Sequence, residues 1–349
     1  MIIDIKVIKD TVTELFIANG LIDEDARIVT NCLLDAELAG IITHGISMVP
    51  AHIKKLKASY QLNAEFIIEK STVAFSVCNA NNSIGMLSAW KCLQLAIDKS
   101  MESGMHMVLC HGANTFSAAY CYVKHAVECG KIAIIMSNSP AQMAPYRGKD
   151  KMLGTNPLAI GIPAFNELPF ILDMATSVVS KSKINQALHR GETIPFGWAT
   201  DIDGKPTNDP KKAVAGLLLP MAGAKGSGVC MAIDIMCGVL AQASYLDNIG
   251  RFYPLDNKCM DVGQIYIVID PKIICGNNFY TDMDMYLKKV RKSRSISEDS
   301  VVFVPGDRNY GYYENKVKNG IEISEDLVRE LNELLQNTGI KQLDEKETM

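Results

Sequence analysis

The 349-residue sequence lacks the glycine patterns of the two commonest nucleotide-binding folds. Neither G-x-G-x-x-G nor the phosphate-loop pattern G-x-x-x-x-G-K-[ST] occurs anywhere in the chain, which excludes a doubly wound dinucleotide fold of the usual kind. It also has no C-x-x-C pair among its ten cysteines, and several of them, such as Cys32, Cys230 and Cys237, fall within apolar helical patterns. We therefore predict reduced, buried thiols and no bound metal.

The sequence also lacks a large excess of charge of either sign. With 35 basic and 39 acidic residues its net charge is −4, which gives no electrostatic reason to expect a nucleic acid or an anionic membrane as partner. The N-terminus shows no secretion signal. The longest apolar stretch, residues 228–246, carries Asp234 near its centre, which is typical of a buried helix rather than a membrane span. We therefore expect a cytoplasmic protein.

Apolar periodicity indicates an α/β protein. Residues 1–60 are helical by pattern, and a strand, an Asn-rich turn and a helix ending at Gly104 follow. The helical stretch 116–130 then separates two short apolar runs of strand character. The strand-like runs of the rest of the chain are 105–114, 131–139, 157–164, 169–176 and 264–271. Alternation of strand and helix in this way favours an α/β organisation.

His44 stands in a short turn within "AELAGIITHGISMVPAHIKKL". Gly40 is placed to end the helix before it, and Pro50 fits the first turn of the helix after it. A single histidine in a turn is more often a hydrogen-bonded structural residue than a catalytic one. A catalytic interpretation of His44 therefore needs other residues beside it.

A second feature is the glycine-rich stretch "PMAGAKGSGVCMAIDIM", in which Gly223, Gly226 and Gly228 surround Lys225 and lead directly into a helix. Glycines let backbone N–H groups approach an oxyanion, and the helix N-terminus and the lysine add positive charge. The stretch therefore predicts a diphosphate site, with a flexible turn and a solvated lysine as the competing interpretation. Asp173 closes a strand-like run, where a ligand would meet the end of a sheet.

Together these stretches resemble one enzyme family in their order and spacing. The motifs are "THG" at 43–45, "GTNPLA" at 154–159, "LDMATS" at 172–177, "GAKGSG" at 223–228, "GQIYIVIDP" at 263–271 and "VPGD" at 304–307. They resemble the NAD(P)-dependent malate/L-lactate dehydrogenases that are unrelated to the Rossmann-type enzymes. Residues 194–210 and 261–271 look most like the members that oxidise ureidoglycolate to oxalurate in allantoin (purine) breakdown.

The resemblance implies an α/β fold with a mixed, mostly antiparallel sheet flanked by helices, and a helical second domain formed from both chain ends. It implies a helix-rich substrate and dimerisation domain of residues 1–121 plus 295–349, and a dinucleotide-binding domain of residues 122–294. It further implies a homodimer with its active site in the interdomain cleft, NAD or NADP as cofactor, and a small 2-hydroxy acid as substrate.

The resemblance also assigns site residues. His44 matches an active-site histidine, and Asn114 matches an asparagine on the substrate side. The positions that match dinucleotide-binding residues are Ser139, Asp173, Met174, Ala175, Lys225, Gly226, Gly306 and Asp307.

The chain departs from the family pattern at five positions. Met48 stands where the family has an arginine that grips the substrate carboxylate, and His52 stands where an aromatic residue is common. Thr115 replaces the histidine that takes the hydroxyl proton, and Ser117 replaces the glycine that follows. Arg147 replaces a further glycine. Threonine has no accessible titration near neutral pH, so Thr115 cannot act as a general base.

Three interpretations follow. In the first, the chain is a working dehydrogenase in which His44, His52 or His111 transfers the proton, and Arg147 or Lys54 holds the carboxylate. In the second, it is a catalytically degenerate relative that keeps the fold, and nucleotide binding with it, and serves as a partner or regulatory subunit. In the third, its substrate lacks the usual carboxylate.

Overall fold

The computed structural model describes residues 1–253, 259–298, 300–336 and 338–343. The strands are β1 (Ile2–Ile3), β2 (Ile67–Ser71), β3 (Phe75–Asn79), β4 (Met105–Ala113), β5 (Ile132–Ser137), β6 (Leu158–Ile162), β7 (Phe170–Met174), β8 (Ala199–Thr200), β9 (Leu217–Leu218), β10 (Val262–Ile269) and β11 (Ile321–Glu322). The helices are α1 (Ile5–Ala18), α2 (Asp23–Leu38), α3 (Val49–Ala58), α4 (Gly85–Ser103), α5 (Tyr120–Glu128), α6 (Lys181–Arg190), α7 (Pro210–Ala215), α8 (Ala224–Asp234), α9 (Pro271–Cys275), α10 (Asn278–Arg291), α11 (Asp307–Asn319) and α12 (Glu325–Leu335).

A seven-stranded sheet forms the centre of the fold, with the strand order β2-β3-β4-β10-β5-β6-β7. The pair β3–β4 is parallel, and every other pair of neighbours in this sheet is antiparallel. The predicted mixed, mostly antiparallel sheet with flanking helices is therefore confirmed. The strand-helix-strand unit around α5 does not pair its own two strands, because β10 lies between β4 and β5 and pairs with both.

The largest buried cluster combines the N-terminal helices, α4, α5 and the C-terminal segment around the sheet. Both chain ends enter it, since β1 pairs with β11 and the amino group of Met1 donates to the carbonyl of Ile323 at 2.9 Å. A second, smaller cluster gathers Met143, Leu153, Ile184 and Cys230. The division into domains at 121/122 and 294/295 stays a prediction.

Helix α8 continues into a π-helical turn, Ile235–Leu240. The sequence predicts a buried helix here, but only one face of it, which includes Asp234, is buried. The opposite face is open, with Met231, Ile235 and Val239 exposed to 40%, 58% and 57%. Within the described ranges, no helix is both long and apolar enough to cross a membrane.

Candidate functional site

His44 lies in a single 3-10 turn between α2 and α3, as the sequence predicts. Its ring is exposed, and the Thr43 hydroxyl lies 3.0 Å from His44 Nδ1. Desolvation by the surrounding protein lowers the pKa of His44. Behind the turn, the buried carboxylate of Glu37 accepts a hydrogen bond from the Ile46 N–H at 3.3 Å. Glu37 also pairs with Lys316 of α11 at 2.8 Å, so the rear of the turn is fixed to two helices.

Residues 114–117 follow β4 and pass in front of this turn. Asn114 is buried, and its amide nitrogen donates to Asn82 Oδ1 and to the Ser83 carbonyl, both at 2.9 Å. Its amide oxygen accepts from the Met260 N–H at 3.1 Å. A Cβ at Gly85 would collide with the carbonyls of residues 114 and 115, so the glycine allows this close approach. The side chain of Asn114 therefore anchors the segment.

Thr115 and Ser117 connect this segment to His44. The Ser117 N–H donates to Thr115 Oγ1 at 3.4 Å, and the Ser117 hydroxyl donates to the carbonyl oxygen of His44. Ser117 has a φ of 68°, in the left-handed region that favours glycine. His44 and Thr115, which stands at the position of the family's catalytic histidine, are thus brought together, with Ser117 between them.

Asp173 lies at the end of β7, beside the same segment. Its Oδ2 accepts a hydrogen bond at 2.9 Å from the N–H of Tyr120, three residues after Ser117. Burial raises the pKa of Asp173 to about 6. Asp173 therefore bonds the same chain segment that contacts His44, three residues further along it.

Hydrogen bonds around Ser139 connect the "GTNPLA" and "LDMATS" motifs with helix α8. The Ser139 hydroxyl accepts from the N–H groups of Thr155 and Asn156 at 3.0 and 3.3 Å. The Asn156 amide oxygen accepts from the Ser139 N–H at 3.0 Å, and its nitrogen donates to the Cys230 carbonyl on α8 at 3.0 Å. Thr176, three residues after Asp173, donates to the Thr155 carbonyl at 2.9 Å. The turn after β5, the 154–156 loop and the end of β7 therefore form one network.

Lys225 lies exposed in the first turn of α8, next to this network. Gly223 caps the helix with a φ of 60°. A Cβ at Gly226 would collide with the Met221 carbonyl, so the loop can close tightly only with glycine there. The Met221 N–H donates to the Thr176 carbonyl at 2.9 Å, which joins the lysine loop to the end of β7.

Gly306 and Asp307 lie on the other side of β7. The Pro305 carbonyl accepts from the Ile171 N–H at 2.9 Å, and Gly306 has a φ of 104°. Arg291 pairs with both oxygens of Asp307, at 2.7 and 3.2 Å. Desolvation raises the pKa of Asp307, but the Arg291 hydrogen bond and other interactions outweigh it and bring the pKa below its ordinary value. This carboxylate therefore holds the 304–307 turn against β7.

Two residues predicted on the substrate side point into the protein. Met48 packs against the large buried cluster. His52 is fully buried, with Nδ1 3.3 Å from the Tyr60 hydroxyl, and its Nε2 has no partner among the described residues. Burial, with a smaller effect of the His44 charge, lowers the pKa of His52 to about 3. His52 is therefore a neutral, inaccessible ring.

His111, Lys54 and Arg147 each interact with a side chain away from the His44 turn. His111 pairs with Glu69 at 2.9 Å, and Lys54 pairs at the surface with Glu330 of α12 at 3.0 Å. Arg147 lies over the ring of its neighbour Tyr146, 5.4 Å from the centroid. That neighbour donates through its N–H to Ser227 in the first turn of α8, so Arg147 lies on the lysine-loop side.

The Glu37–Lys316 pair behind His44 was not predicted from the sequence. Its one available signal is an acidic residue in the apolar helical pattern of α2, where Glu37 is 5% exposed. A carboxylate at such a position requires a partner. Nothing in the pattern indicates that the partner is Lys316, far away in the chain.

Comparison with known proteins gives a consistent result. The model of the malate/L-lactate dehydrogenase family matches residues 3–332. The malate/(S)-sulfolactate dehydrogenase of Methanothermus fervidus is 33% identical over 343 residues, covering 98% of this chain and 99% of that protein. The ureidoglycolate dehydrogenase of Escherichia coli O157:H7 is 29% identical over 322 residues, covering 91% and 92%. The solved sulfolactate dehydrogenase from Methanocaldococcus jannaschii has a TM-score of 0.92 at 31% identity, covering 97% of this chain and 98% of that one. The chain therefore belongs to the malate/L-lactate dehydrogenase family.

Proposed function

We propose that this chain is a working NAD(P)-dependent 2-hydroxy-acid dehydrogenase whose proton carrier is His44. The observation that carries the proposal is a series of three hydrogen bonds joined by short chain segments: from Ser117 to the His44 carbonyl, from the Tyr120 N–H to Asp173, and from the Met221 N–H of the lysine loop to the Thr176 carbonyl. This series supports an arrangement in which the His44 ring and the cationic N-terminus of α8 serve one site. A hydride-transfer enzyme needs both, because the base that takes the hydroxyl proton and the cofactor that takes the hydride must be held at the same substrate.

The lysine loop fits a dinucleotide. Gly228 faces open space, and Gly223 and Gly226 bring the backbone of the first turn of α8 close to its surroundings. Backbone N–H groups, the helix dipole and the Lys225 ammonium can together hold a diphosphate. Bound NAD or NADP would accept the hydride from the hydroxyl-bearing carbon. We propose that Ser139, Met174 and Ala175 line the same site, with Gly306 and Asp307 supporting β7.

His44 is proposed to take the hydroxyl proton because it is the exposed imidazole of this surface. Its pKa is lowered by desolvation, so the ring is neutral at pH 7 and able to accept a proton. The hydroxyl of Thr115 accepts from the Ser117 N–H, and it has no titration in this range. His52 is buried, and His111 is paired with Glu69.

The substrate acid group needs a cation, since Met48 supplies none. Lys151, Lys181 and Arg251 lie close enough together for desolvation and their mutual repulsion to lower the pKa of Lys151. Arg251 precedes Phe252, whose ring lies 5.4 Å from that of His52. Because His52 lies in α3, the helix that follows the His44 turn, this contact brings Arg251 to the side of the molecule that carries His44. We propose that this group of cations attracts the acid group of the substrate.

Ureidoglycolate is our specific substrate proposal, on the strength of residues 194–210 and 261–271. Malate and sulfolactate are in the name of the relative that is 33% identical, and ureidoglycolate is in the name of the one that is 29% identical. We further propose a homodimer in the cytoplasm. The second candidate function is a catalytically degenerate partner or regulatory subunit. The packing of Met48 against the large buried cluster and the hydrogen-bonded Thr115 hydroxyl favour it.

The experiment combines binding and turnover. Melting temperature is measured with NADH and NADPH, for which a ligand at 100 times its dissociation constant adds about 2.7 kcal/mol of stability. Absorbance of the reduced nicotinamide is then followed with ureidoglycolate, malate, sulfolactate and lactate. Lys225→Ala should remove the melting shift, whereas Lys211→Ala, in the first turn of α7, should keep it. No shift with either cofactor would refute the dehydrogenase, and a shift without turnover would favour the degenerate relative.

A further inference from the structure

Two of the family departures, Thr115 and Ser117, are in contact with each other, and Ser117 also contacts the turn that carries His44. The Ser117 N–H donates to Thr115 Oγ1 at 3.4 Å, and the Ser117 hydroxyl donates to the His44 carbonyl. A valine at 115 could not accept the first bond, and a glycine at 117 could not donate the second. Each departure therefore supplies an atom that this connection requires.

The backbone at Ser117 adds a second observation. Its φ of 68° lies in the left-handed region, where a residue with a Cβ is less stable than glycine. Glycine would fit this backbone without strain, but only a hydroxyl reaches the His44 carbonyl. The serine therefore adopts a strained backbone conformation, and in that conformation its hydroxyl bonds the His44 carbonyl.

The base of the connection is rigid. Asn114 is held by four hydrogen bonds, to Asn82, Ser83, Met260 and, through its carbonyl, the side chain of Gln264 at 2.9 Å. The rear of the His44 turn is held by Glu37. Ser117 therefore joins two fixed parts of the protein at the front of the turn.

We propose that Thr115 and Ser117 form one positioning unit, which holds the His44 turn so that its imidazole faces the substrate in the absence of the family histidine. Thr115 orients the Ser117 backbone, and Ser117 fixes the His44 carbonyl; neither touches the transferred proton. The proposal rests on the proposed function, because His44 needs positioning for catalysis only if it carries the proton.

The test uses four variants of the full chain and one control. Ser117→Ala removes the hydroxyl and keeps the strain, Ser117→Gly removes both, Thr115→Val removes the acceptor, and Thr115→Ser keeps it. Ser47→Ala is the matched control, because that hydroxyl donates at 2.7 Å to the Ile42 carbonyl in the same turn. The pKa of the His44 ring is measured by NMR, and kcat is measured against pH.

Both Ser117 variants should raise the pKa of His44 towards its ordinary value, because releasing the turn relieves the desolvation that lowers this pKa. They should lower kcat about tenfold with KM for the cofactor unchanged. Thr115→Val should change the His44 pKa and kcat in the same direction, whereas Thr115→Ser should behave like the parent. In the double variant, Thr115→Val should add nothing to the effect of Ser117→Ala.

The proposal is wrong if Ser117→Ala and Ser117→Gly leave the His44 pKa unchanged, or if Ser47→Ala shifts it equally. Because Ser117→Gly relieves strain, it keeps the test informative if Ser117→Ala folds poorly. A parent without turnover would count against the proposed function alone, since the NMR measurement still decides whether Ser117 positions the His44 ring.

Discussion

Replacing Asp173 by asparagine should stabilise the protein at neutral pH. Asparagine keeps an oxygen that can accept the Tyr120 N–H bond, and it removes a charge that the site disfavours. Burial raises the pKa of Asp173 from 3.8 to about 6, and each unit corresponds to about 1.36 kcal/mol, which gives about 3 kcal/mol. Asp173 is half-buried as a residue, and solvent screening reduces this figure to about 1–3 kcal/mol.

The pH dependence follows from the direction of the shift. A folded-state pKa above the unfolded value means that folding favours the protonated carboxyl, so the parent loses stability as the pH rises from about 4 to about 6. Urea denaturation of parent and Asp173→Asn should therefore give a difference that grows over this range and is constant above pH 7.

Asp284 provides the control with the opposite sign. Desolvation raises its pKa, but hydrogen bonds from the N–H groups of Glu167, Asn166 and Phe165 outweigh it and leave the pKa below 3.8. Asp284→Asn should therefore destabilise the protein at neutral pH, and this loss should disappear as the pH falls through the acid range. An Asp173→Asn protein no more stable than its parent at pH 8 would show that the carboxyl is not desolvated.

Four further predictions address other parts of the molecule. If the protein is a catalytically degenerate relative, the double change Thr115→His with Met48→Arg should raise activity by at least ~10², and either single change should do much less. A parent that is already active should gain nothing from the double change. Arg251→Ala should raise KM for the acid substrate about tenfold or more without changing the melting shift caused by NADH. An unchanged KM would show that Arg251 does not bind the acid group of the substrate. Changing His52 and Tyr60 together to phenylalanine should give a protein at least ~1 kcal/mol more stable than Tyr60→Phe alone, measured in urea, because it removes a buried, unpaired ring nitrogen. The protein should sediment as a dimer at micromolar concentration, and a stable monomer would contradict this.

Much of the fold follows from local patterns. Gly104 ends α4 in the left-handed conformation, and Pro50 stands in the first turn of α3, as predicted. The strand-like runs form β4, β5, β6, β7 and β10. Their order in the sheet was not predictable from periodicity, since it depends on pairing between distant segments. Helix α11 was not predicted either, because it has no buried residue to mark an apolar face.

The site was predictable as motifs but not as contacts. Glycine and strand-end signals mark the Lys225 loop and Asp173 in the sequence, whereas Ser139 is marked only by the family resemblance. The hydrogen bond from Ser117 to His44 joins residues 73 positions apart, and no local pattern encodes it. Likewise the sequence predicted His52 as a substrate-side group, and its burial comes from packing against Tyr60 and Phe252.

The central position of β10 has a consequence for how the chain folds. β10 begins at Val262, whereas the strands on its two sides, β4 and β5, are complete by Ser137. During synthesis the facing edges of β4 and β5 stay unpaired while the intervening chain is made, and unpaired edges promote aggregation. Fragments that stop before Val262 should therefore be insoluble, and refolding of the whole chain should be slow. The middle of this sheet is the last part of it to be synthesised.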